Sequence, residues 1–272
     1  MIKKLNSRIW EMDQKLTSFQ LAHYKTFGFI QLKGVLKKNE LKAINSEFAK
    51  GLETAHKYNP NVGASAQLQW SNLKPEFPFI ASLIEDSRIC GVAEQLIGDD
   101  AIPVFSNSNR WVTNTPWHPD TPYVDLKGVK IACYLQSVRS GTGALRFVPG
   151  SHKPEFNEEI ATLLKQSNPE LNDVPAHVCD SDPGDIIAFD NRLYHAAIGT
   201  SEDKRQLTMN FVETPKTEKA EKENQDLRVV SIKQYANTNA PPPHFAPEWA
   251  ANPSGNERRQ RSVDWLKSVG LI

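Results

Sequence analysis

Two potential metal ligands that lie two residues apart, followed by a third far along the chain, limit the folds open to this 272-residue sequence. The pair is His118 and Asp120, with Pro119 between them, and the third ligand is His195. Side chains two residues apart in an extended strand point the same way, so one short segment can present both members of the pair. Pro119 has no amide hydrogen and fits a strand end or edge. A fold that uses all three ligands must bring distant strands side by side.

The residues before His195 predict how it reaches the pair. Pro183-Gly184-Asp185 indicates a turn, and the apolar residues 186–189 indicate a buried strand. Two imidazoles and one carboxylate are the ligand set that holds non-heme Fe(II) on one face and leaves positions open for a cosubstrate and dioxygen. The pattern therefore predicts an iron site, and oxidative chemistry, at His118, Asp120 and His195.

Alternatives remain open for these ligands. His118 and Asp120 could form a pair in a surface loop. His152, in a Pro-Gly-Ser-His turn, or His177, in a predicted strand, could replace His195 as the second histidine. We favour His195 because the turn at His152 has the composition of a structural element and His177 has no arginine at hairpin distance.

Arg205 follows His195 after a turn-rich segment, and strand character resumes at residues 205–211. If these segments form a hairpin centred near Thr200, His195 and Arg205 lie opposite one another and project from the same face. A guanidinium binds a carboxylate through two parallel charge-assisted hydrogen bonds. The geometry thus predicts that Arg205 holds the far end of a dicarboxylate that chelates iron by its other end, which suggests 2-oxoglutarate. The alternative is an ordinary exposed arginine on a strand.

Several motifs, in order along the chain, resemble those of the phytanoyl-CoA dioxygenase family of Fe(II)- and 2-oxoglutarate-dependent oxygenases. They are Leu16–Gln20 with Tyr24, Gly28, Phe29 and Ile30; Trp117–Asp120; Gly143–Lys153; and Pro183–Asp185 with His195 and Arg205. The resemblance covers residues 16 to 215. It implies that His118, Asp120 and His195 bind the metal and that Arg205 binds 2-oxoglutarate.

The order of the predicted elements indicates the fold class. Residues 39–57, with Asn39 as the N-cap, and residues 87–98 have the apolar spacing of amphipathic helices. From residue 101 the pattern changes to short strands, with a helical insert near residues 155–166. Helices followed by many strands predict a mainly β protein with flanking helices: a double-stranded β-helix, or cupin-like jelly-roll barrel.

We expect two regions in the chain. Residues 1–215 form the oxygenase jelly roll with its N-terminal helical layer, and residues 216–272 form a charged linker and a C-terminal extension that packs on the same domain. The extension includes a predicted closing helix around Val263, Trp265 and Leu266. It could cover the mouth of the active site or form a dimer contact, and the sequence leaves both open.

Further residues are candidates for contacts with the cosubstrate or the substrate. Asn107 and Asn109 place amides on one face of the strand before the metal motif, although they could equally be edge-strand residues paired with water. By resemblance, Tyr134 stands where family members place a cosubstrate contact. The aromatic and charged residues near the motifs could line the substrate side or serve only in packing; they are Trp111, Trp117, Tyr123, Arg192 and Tyr194.

Composition excludes several classes of partner. The 32 basic and 32 acidic residues cancel, and no basic block interleaved with aromatics suggests nucleic-acid binding. No apolar run approaches the roughly 18 residues of a membrane span, and the N-terminus lacks the apolar core of a signal peptide. Cys90, Cys133 and Cys179 are odd in number and scattered, as in proteins of a reducing compartment. We expect a cytoplasmic monomer or homodimer with a small-molecule substrate.

The resemblance implies an enzyme that uses Fe(II), 2-oxoglutarate and O2, with ascorbate as a possible stimulant, and releases succinate and CO2. We expect it to hydroxylate a small, polar metabolite. Related halogenases have a small residue at the position of Asp120, so the carboxylate favours hydroxylation. Two rivals are an acyl-CoA hydroxylase of the same family, and a non-catalytic metal-binding or interaction module on the same fold.

Overall fold

The computed structural model describes residues 15–61, 67–111, 113–121, 125–199, 203–236, 239, 242, 244–251, 253 and 255–272. Its helices are α1 (Ser18–Phe27), α2 (Lys38–Tyr58), α3 (Pro78–Leu83), α4 (Cys90–Ile97), α5 (Pro154–Ser167), α6 (Glu218–Ala236), α7 (Pro247–Ala251) and α8 (Glu257–Ser268). Its strands are β1 (Phe29–Leu32), β2 (Leu68–Ser71), β3 (Ile102–Trp111), β4 (Thr115–His118), β5 (Gly128–Tyr134), β6 (Leu145–Phe147), β7 (His177–Cys179), β8 (Ile186–Asp190), β9 (His195–Ala197) and β10 (Lys204–Val212).

The strands form two antiparallel sheets. The larger sheet has the order β1-β8-β5-β10-β3-β2, and the smaller has the order β4-β9-β6-β7. Strands distant in sequence are therefore neighbours, as the spacing of the three predicted ligands requires. With its flanking helices, this is the predicted jelly roll.

The larger sheet has an apolar face and a polar face because apolar and polar residues alternate along its strands. Along β10, the apolar residues Leu207, Met209 and Phe211 join the main core, to which α2 contributes Ile44 and Phe48. The residues between them, such as Gln206 and Thr208, point to the opposite face. The apolar face therefore packs on the helical layer, and the polar face is turned towards the smaller sheet.

A second apolar cluster fills part of the space between the sheets. It contains Phe29, Phe147 and Phe189, and the Phe29 and Phe147 rings stack with their centroids 4.9 Å apart. The rings of Phe189 and His195 lie 4.9 Å apart between centroids, so this cluster forms a wall of the region around His195. The aromatic packing holds the two sheets together beside the predicted ligands.

The helices predicted at residues 39–57, 87–98 and 155–166 are present with small differences at their ends, and α1, α3 and α7 are additional. α2 begins two residues earlier than expected: its N-cap is Lys37, not Asn39, and the Lys37 amide donates to Glu40 Oε2 at 2.7 Å. α4 starts at Cys90 and ends before Gly98, where the helix was predicted to stop. α5 occupies the predicted insert.

The C-terminal extension packs on the outside of the larger sheet. Trp265 of α8 makes an edge-to-face contact with Phe105 of β3, with centroids 5.9 Å apart. Arg258 and Arg261 of α8 both pair with Glu94 of α4. Most of the charged segment 216–226, predicted as a solvated linker or an exposed turn of helix, lies in α6.

The same extension covers the edge of the larger sheet. Strand β2 lies at that edge, and its Gln69 amide donates to Asn239 Oδ1 at 2.9 Å while Gln69 O accepts from the Asn239 amide at 2.6 Å. Farther on, Ser71 Oγ donates to His244 O. These contacts satisfy backbone groups that an edge strand otherwise leaves open.

None of the described helices has the length and apolar character needed to cross a membrane. The thiols of Cys90, Cys133 and Cys179 are free and buried. Each therefore acts as a small apolar group in the core.

Candidate metal and cosubstrate site

The two sheets bring His118, Asp120 and His195 together. His118 ends β4 directly opposite His195 on β9, and their ring centroids are 4.3 Å apart. One ligand atom from each of the three residues lies within 4.8 Å of the others. Ligands about 2.2 Å from a shared ion can be at most about 4.4 Å apart. Side-chain movements of a few tenths of an ångström would therefore let all three bind one ion.

Backbone carbonyls set the tautomer of both histidines. His118 Nδ1 lies 2.7 Å from Pro116 O, and His195 Nδ1 lies 2.9 Å from Leu193 O. A carbonyl oxygen only accepts, so Nδ1 carries the proton in each ring and Nε2 keeps its lone pair. Burial lowers the pKa of His195 to about 4, so this ring is neutral at physiological pH. Both rings are prepared to act as Nε2 ligands.

Asp120 supplies the carboxylate of the group. Its Oδ1 accepts from Lys130 Nζ at 2.5 Å and lies 3.9 Å from His195 Nε2, while its Oδ2 is buried with no hydrogen-bond partner among the described residues. Burial by itself would raise the pKa of Asp120, but the Lys130 ammonium and the His195 ring lower it below its ordinary value. The carboxylate is therefore ionised and has an oxygen to offer.

The donor set fits a divalent metal of the iron type. Two neutral imidazoles and one carboxylate occupy one side of the site, which is the facial arrangement of non-heme Fe(II) oxygenases. Among the described residues this is the one cluster of three or more His, Cys, Asp or Glu side chains whose ligand atoms come together. His152 and His177, the alternative second histidines, are not part of it.

A cavity of about 200 Å³ adjoins the three residues. It lies between the sheets, and the polar face of β10 forms much of its wall. Its lining consists of Gln69, Asn109, Thr115, His118, Asp120, Lys130, Tyr134, Leu145, Phe189, His195, Ala197, Lys204, Gln206, Thr208 and Asn210. The cavity is therefore mostly polar and smaller than the roughly 300–1,000 Å³ pockets that hold drug-sized ligands.

The prediction that Arg205 enters this cavity is wrong. β9 and β10 do not form a hairpin: β9 pairs with β4 and β6 in the smaller sheet, and β10 pairs with β3 and β5 in the larger. Arg205 points to the helical side, where Nη1 donates to Asn45 Oδ1 at 3.1 Å and Nε lies 3.2 Å from Asp203 Oδ2. The segment after His195 crosses from the smaller sheet to the larger one, so His195 and Arg205 do not lie opposite one another.

Lys204, the neighbour of Arg205, enters the cavity in its place. Lys204 and Arg205 are consecutive in β10, so their side chains point to opposite faces of the sheet. Lys204 shares the polar face with Gln206 and Thr208. The residue is only 2% exposed, and its Nζ has no hydrogen-bond partner among the described residues. The sequence carries a signal for Lys204: Leu207 and Met209 mark the apolar face of the strand, so Arg205 belongs to that face and Lys204 to the opposite one.

The other predicted cosubstrate residues lie at or beside the cavity. Tyr134 and Asn109 line it, and Asn109 Nδ2 donates to Thr208 Oγ1 at 3.2 Å. Asn107 is buried on the same face of β3, and neither polar atom of its amide has a partner among the described residues. Lys130 lies on the same face of β5 as Tyr134 and also lines the cavity.

The residues predicted to line the substrate side are mostly elsewhere. Trp117 and Tyr194 alternate with the two histidines and pack on the outer side of the smaller sheet around Ile160 of α5, with Trp117 Nε1 donating to Leu171 O. Arg192 forms an ion pair with Asp190 at 2.6 Å and does not line the cavity.

Trp117 and Tyr194 lie away from the cavity because side chains adjacent to a ligand in an extended segment point to the other face. Tyr123 and the side chain of Trp111 lie outside the described residues.

The comparisons with known proteins agree with this geometry. The model of the family described as phytanoyl-CoA dioxygenase (PhyH) matches residues 24–207. Among curated proteins, none is significantly similar in sequence.

Solved structures share the fold. HygX from Streptomyces hygroscopicus, with nickel and 2-oxoglutarate bound, has 21% identity and a TM-score of 0.61, covering 75% of this chain and 90% of that one. EctD from S. alaskensis, with 2-oxoglutarate and 5-hydroxyectoine, has 20% identity and a TM-score of 0.56, covering 73% and 76%. SnoK, a non-heme alpha-ketoglutarate-dependent carbocyclase from nogalamycin biosynthesis, has 18% identity and a TM-score of 0.54, covering 74% and 86%. At these identities the likeness concerns the fold.

The family model spans most of the chain, from α1 to β10, and includes both histidines and the aspartate. The chain therefore belongs to the phytanoyl-CoA dioxygenase (PhyH) family.

Proposed function

We propose that the protein is an Fe(II)- and 2-oxoglutarate-dependent dioxygenase that hydroxylates a small, polar metabolite. The observation that carries the proposal is the convergence of His118, Asp120 and His195 within 4.8 Å at the wall of a cavity lined mostly by polar residues. The metal and cosubstrate would supply the oxidative chemistry, in which O2 activation is coupled to decarboxylation to succinate and CO2. Neighbouring structures that hold nickel or 2-oxoglutarate support this choice of ligands.

The chain's own residues would bind and orient the reactants. The two imidazoles and the carboxylate would hold the metal on one side, and Lys130 would keep Asp120 ionised and fixed through its 2.5 Å contact. The wall formed by Phe189 and Phe147 would exclude water from the same region. The amides on β3 and β10 would orient polar groups of the substrate.

The size and lining of the cavity support a small, polar substrate over an acyl-CoA. The cavity of about 200 Å³ is smaller than the roughly 300–1,000 Å³ pockets that hold drug-sized ligands. Asn109 and Asn210 line the cavity, and the buried amide of Asn107 beside it has no partner among the described residues. Such groups call for hydrogen-bonding ligands, since buried polar groups are normally paired. Location in the cytoplasm and a monomeric or homodimeric state stay predictions.

Asp120 supports hydroxylation as the outcome, because as a metal ligand it would occupy the coordination position that a halide would need. The test is to incubate Fe(II)-loaded protein with 2-oxoglutarate, ascorbate and a metabolite extract under ¹⁸O-labelled dioxygen, with and without chloride. We expect succinate together with a product that has gained one labelled oxygen atom, unchanged by chloride. Asp120→Ala should abolish both, because it removes one of three metal ligands.

Other products would contradict the hydroxylase. A chlorinated, desaturated or cyclised product would be consistent with a 2-oxoglutarate-dependent oxygenase but would contradict hydroxylation as its reaction. The absence of succinate under every condition would favour the non-catalytic module.

A further inference from the structure

Lys204 is a buried cation with no anionic partner among the described residues. It is 2% exposed, it lines the cavity, and its Nζ has no hydrogen-bond partner among the described residues. Burial lowers the pKa of Lys204 to about 8, and no neighbouring charge offsets this effect. An unpaired ammonium in such a position is costly to the fold, so a lysine there calls for a negatively charged ligand.

The fold holds the side chain of Lys204 in one place. A Cβ added to Gly143 would lie 2.7 Å from both Cδ and Nζ of Lys204, so the lysine runs directly over the glycine. Gly143 also has a φ of +93°, which other residues adopt only with strain. The close approach fixes the ammonium at the cavity instead of letting it extend into solvent.

The other cations near the cavity are already engaged. Lys130 pairs with Asp120 at 2.5 Å, and Arg205 contacts Asn45 and Asp203 on the helical side. Of the described residues that line the cavity, Lys204 is therefore the cation that remains for a ligand. Tyr134 and Gln206, which pair across β5 and β10, stand on the same face and add hydrogen-bonding groups.

We propose that Lys204, and not an arginine, binds the carboxylate of 2-oxoglutarate that lies away from the metal. The inference rests on the proposed function and assigns the residue that selects a dicarboxylate over a simple 2-oxo acid. The ammonium acts as a point charge, while Tyr134 and Gln206 are placed to donate to the same carboxylate. Arg205, the position that the resemblance favours, has a structural role on the other face.

The test measures ligand binding without turnover. Isothermal titration calorimetry of the Mn(II)-loaded protein is carried out with 2-oxoglutarate and with 2-oxopentanoate, which has the same carbon chain but ends in a methyl group. Lys204→Met should weaken 2-oxoglutarate binding by about ten- to a hundredfold and leave 2-oxopentanoate binding unchanged. Lys204→Arg should restore part of the affinity. The matched control, Arg205→Met, should leave both ligands unaffected.

Folding of the variant provides a second measurement. Lys204→Met removes an unpaired buried charge, so the ligand-free variant should unfold at the same or a higher denaturant concentration than wild type. A purely structural lysine would give the opposite result.

The outcomes distinguish this inference from the proposed function. Equal binding of 2-oxoglutarate by wild type and Lys204→Met, or a loss confined to Arg205→Met, overturns the role of Lys204 alone. If the metal-loaded wild type binds no 2-oxoglutarate, the proposed function fails as well.

Discussion

The charge on Lys204 makes a pH dependence of cosubstrate binding measurable. In the ligand-free protein burial lowers the pKa of this lysine to about 8, and a bound carboxylate would raise it again. The charged form is present below pH 8, so affinity for 2-oxoglutarate should be constant there. Above that value affinity should fall by up to about tenfold per pH unit, because each binding event must also take up a proton.

Other titrating groups at the cavity are separable from this effect. Burial raises the pKa of Tyr134, and that of His195 is about 4, so both stay neutral between pH 7 and 9. Asp120 and Lys130, with His118, belong to the metal end and would act equally on 2-oxopentanoate. Calorimetry over this range should show a loss of affinity with rising pH only for 2-oxoglutarate. In Lys204→Arg this pH dependence should disappear. An equal slope in the arginine variant would assign the titration to another group.

The ligand residues themselves show what alternation can predict. His118 and Asp120 were predictable as a pair because a two-residue spacing places both on one face of an extended segment. The same rule assigns Trp117 and Tyr194 to the opposite face, where they pack on α5. The orientation of the histidine rings was not predictable, since it depends on carbonyls that only the folded backbone places.

At the scale of the elements, β10 explains why Arg205 lies away from the cavity. Leu207, Met209 and Phe211 mark the apolar face in the sequence, and Arg205 has the same parity. A hairpin with His195 was assumed instead. Sheet membership is a non-local property, and the sequence between His195 and Lys204 carries no sign that the chain changes sheets.

The loop before β6 yields a prediction about Gly143. Gly143→Ala should both strain the backbone, at roughly 1–2 kcal/mol, and displace Lys204, since the new Cβ would lie 2.7 Å from its Nζ. We expect weaker binding of 2-oxoglutarate in calorimetry, by severalfold, with unchanged binding of 2-oxopentanoate.

Gly34→Ala is the matched control for Gly143→Ala. Gly34 has a φ of +61°, but no atom lies within 4 Å of an added Cβ. Gly34→Ala should therefore lose about as much stability as Gly143→Ala and keep the wild-type affinity for 2-oxoglutarate. If both variants bind 2-oxoglutarate as wild type does, the close approach does not position the lysine.

At the scale of the whole molecule, the C-terminal helix is part of the core. Trp265 is buried, contacts Phe105, and donates from Nε1 to Asn224 Oδ1 at 3.0 Å. Trp265→Ala should lower the free energy of unfolding by about 3–5 kcal/mol, because it leaves a large cavity between α8 and β3. Chemical denaturation measures this loss, and exposed Lys267→Ala on the same helix should change stability by less than about 0.5 kcal/mol. An unchanged midpoint for Trp265→Ala would make α8 an independent appendage.

Much of the architecture was predictable, since periodicity changes from helical to strand-like near residue 101, where β3 begins. The path of the tail was not, because a charged sequence such as residues 216–226 is compatible with both a linker and a helix. Its docking depends on ion pairs such as Arg258 with Glu94, whose partners lie far apart in the chain.

The contact between Asn239 and Gln69 links the C-terminal extension to the wall of the cavity. Gln69 lines the cavity, yet its backbone is held by a residue that lies beyond the family match, which ends at residue 207. The metal ligands all lie within that match. Substitutions in the C-terminal extension can therefore alter the shape of this wall while the three ligands stay intact.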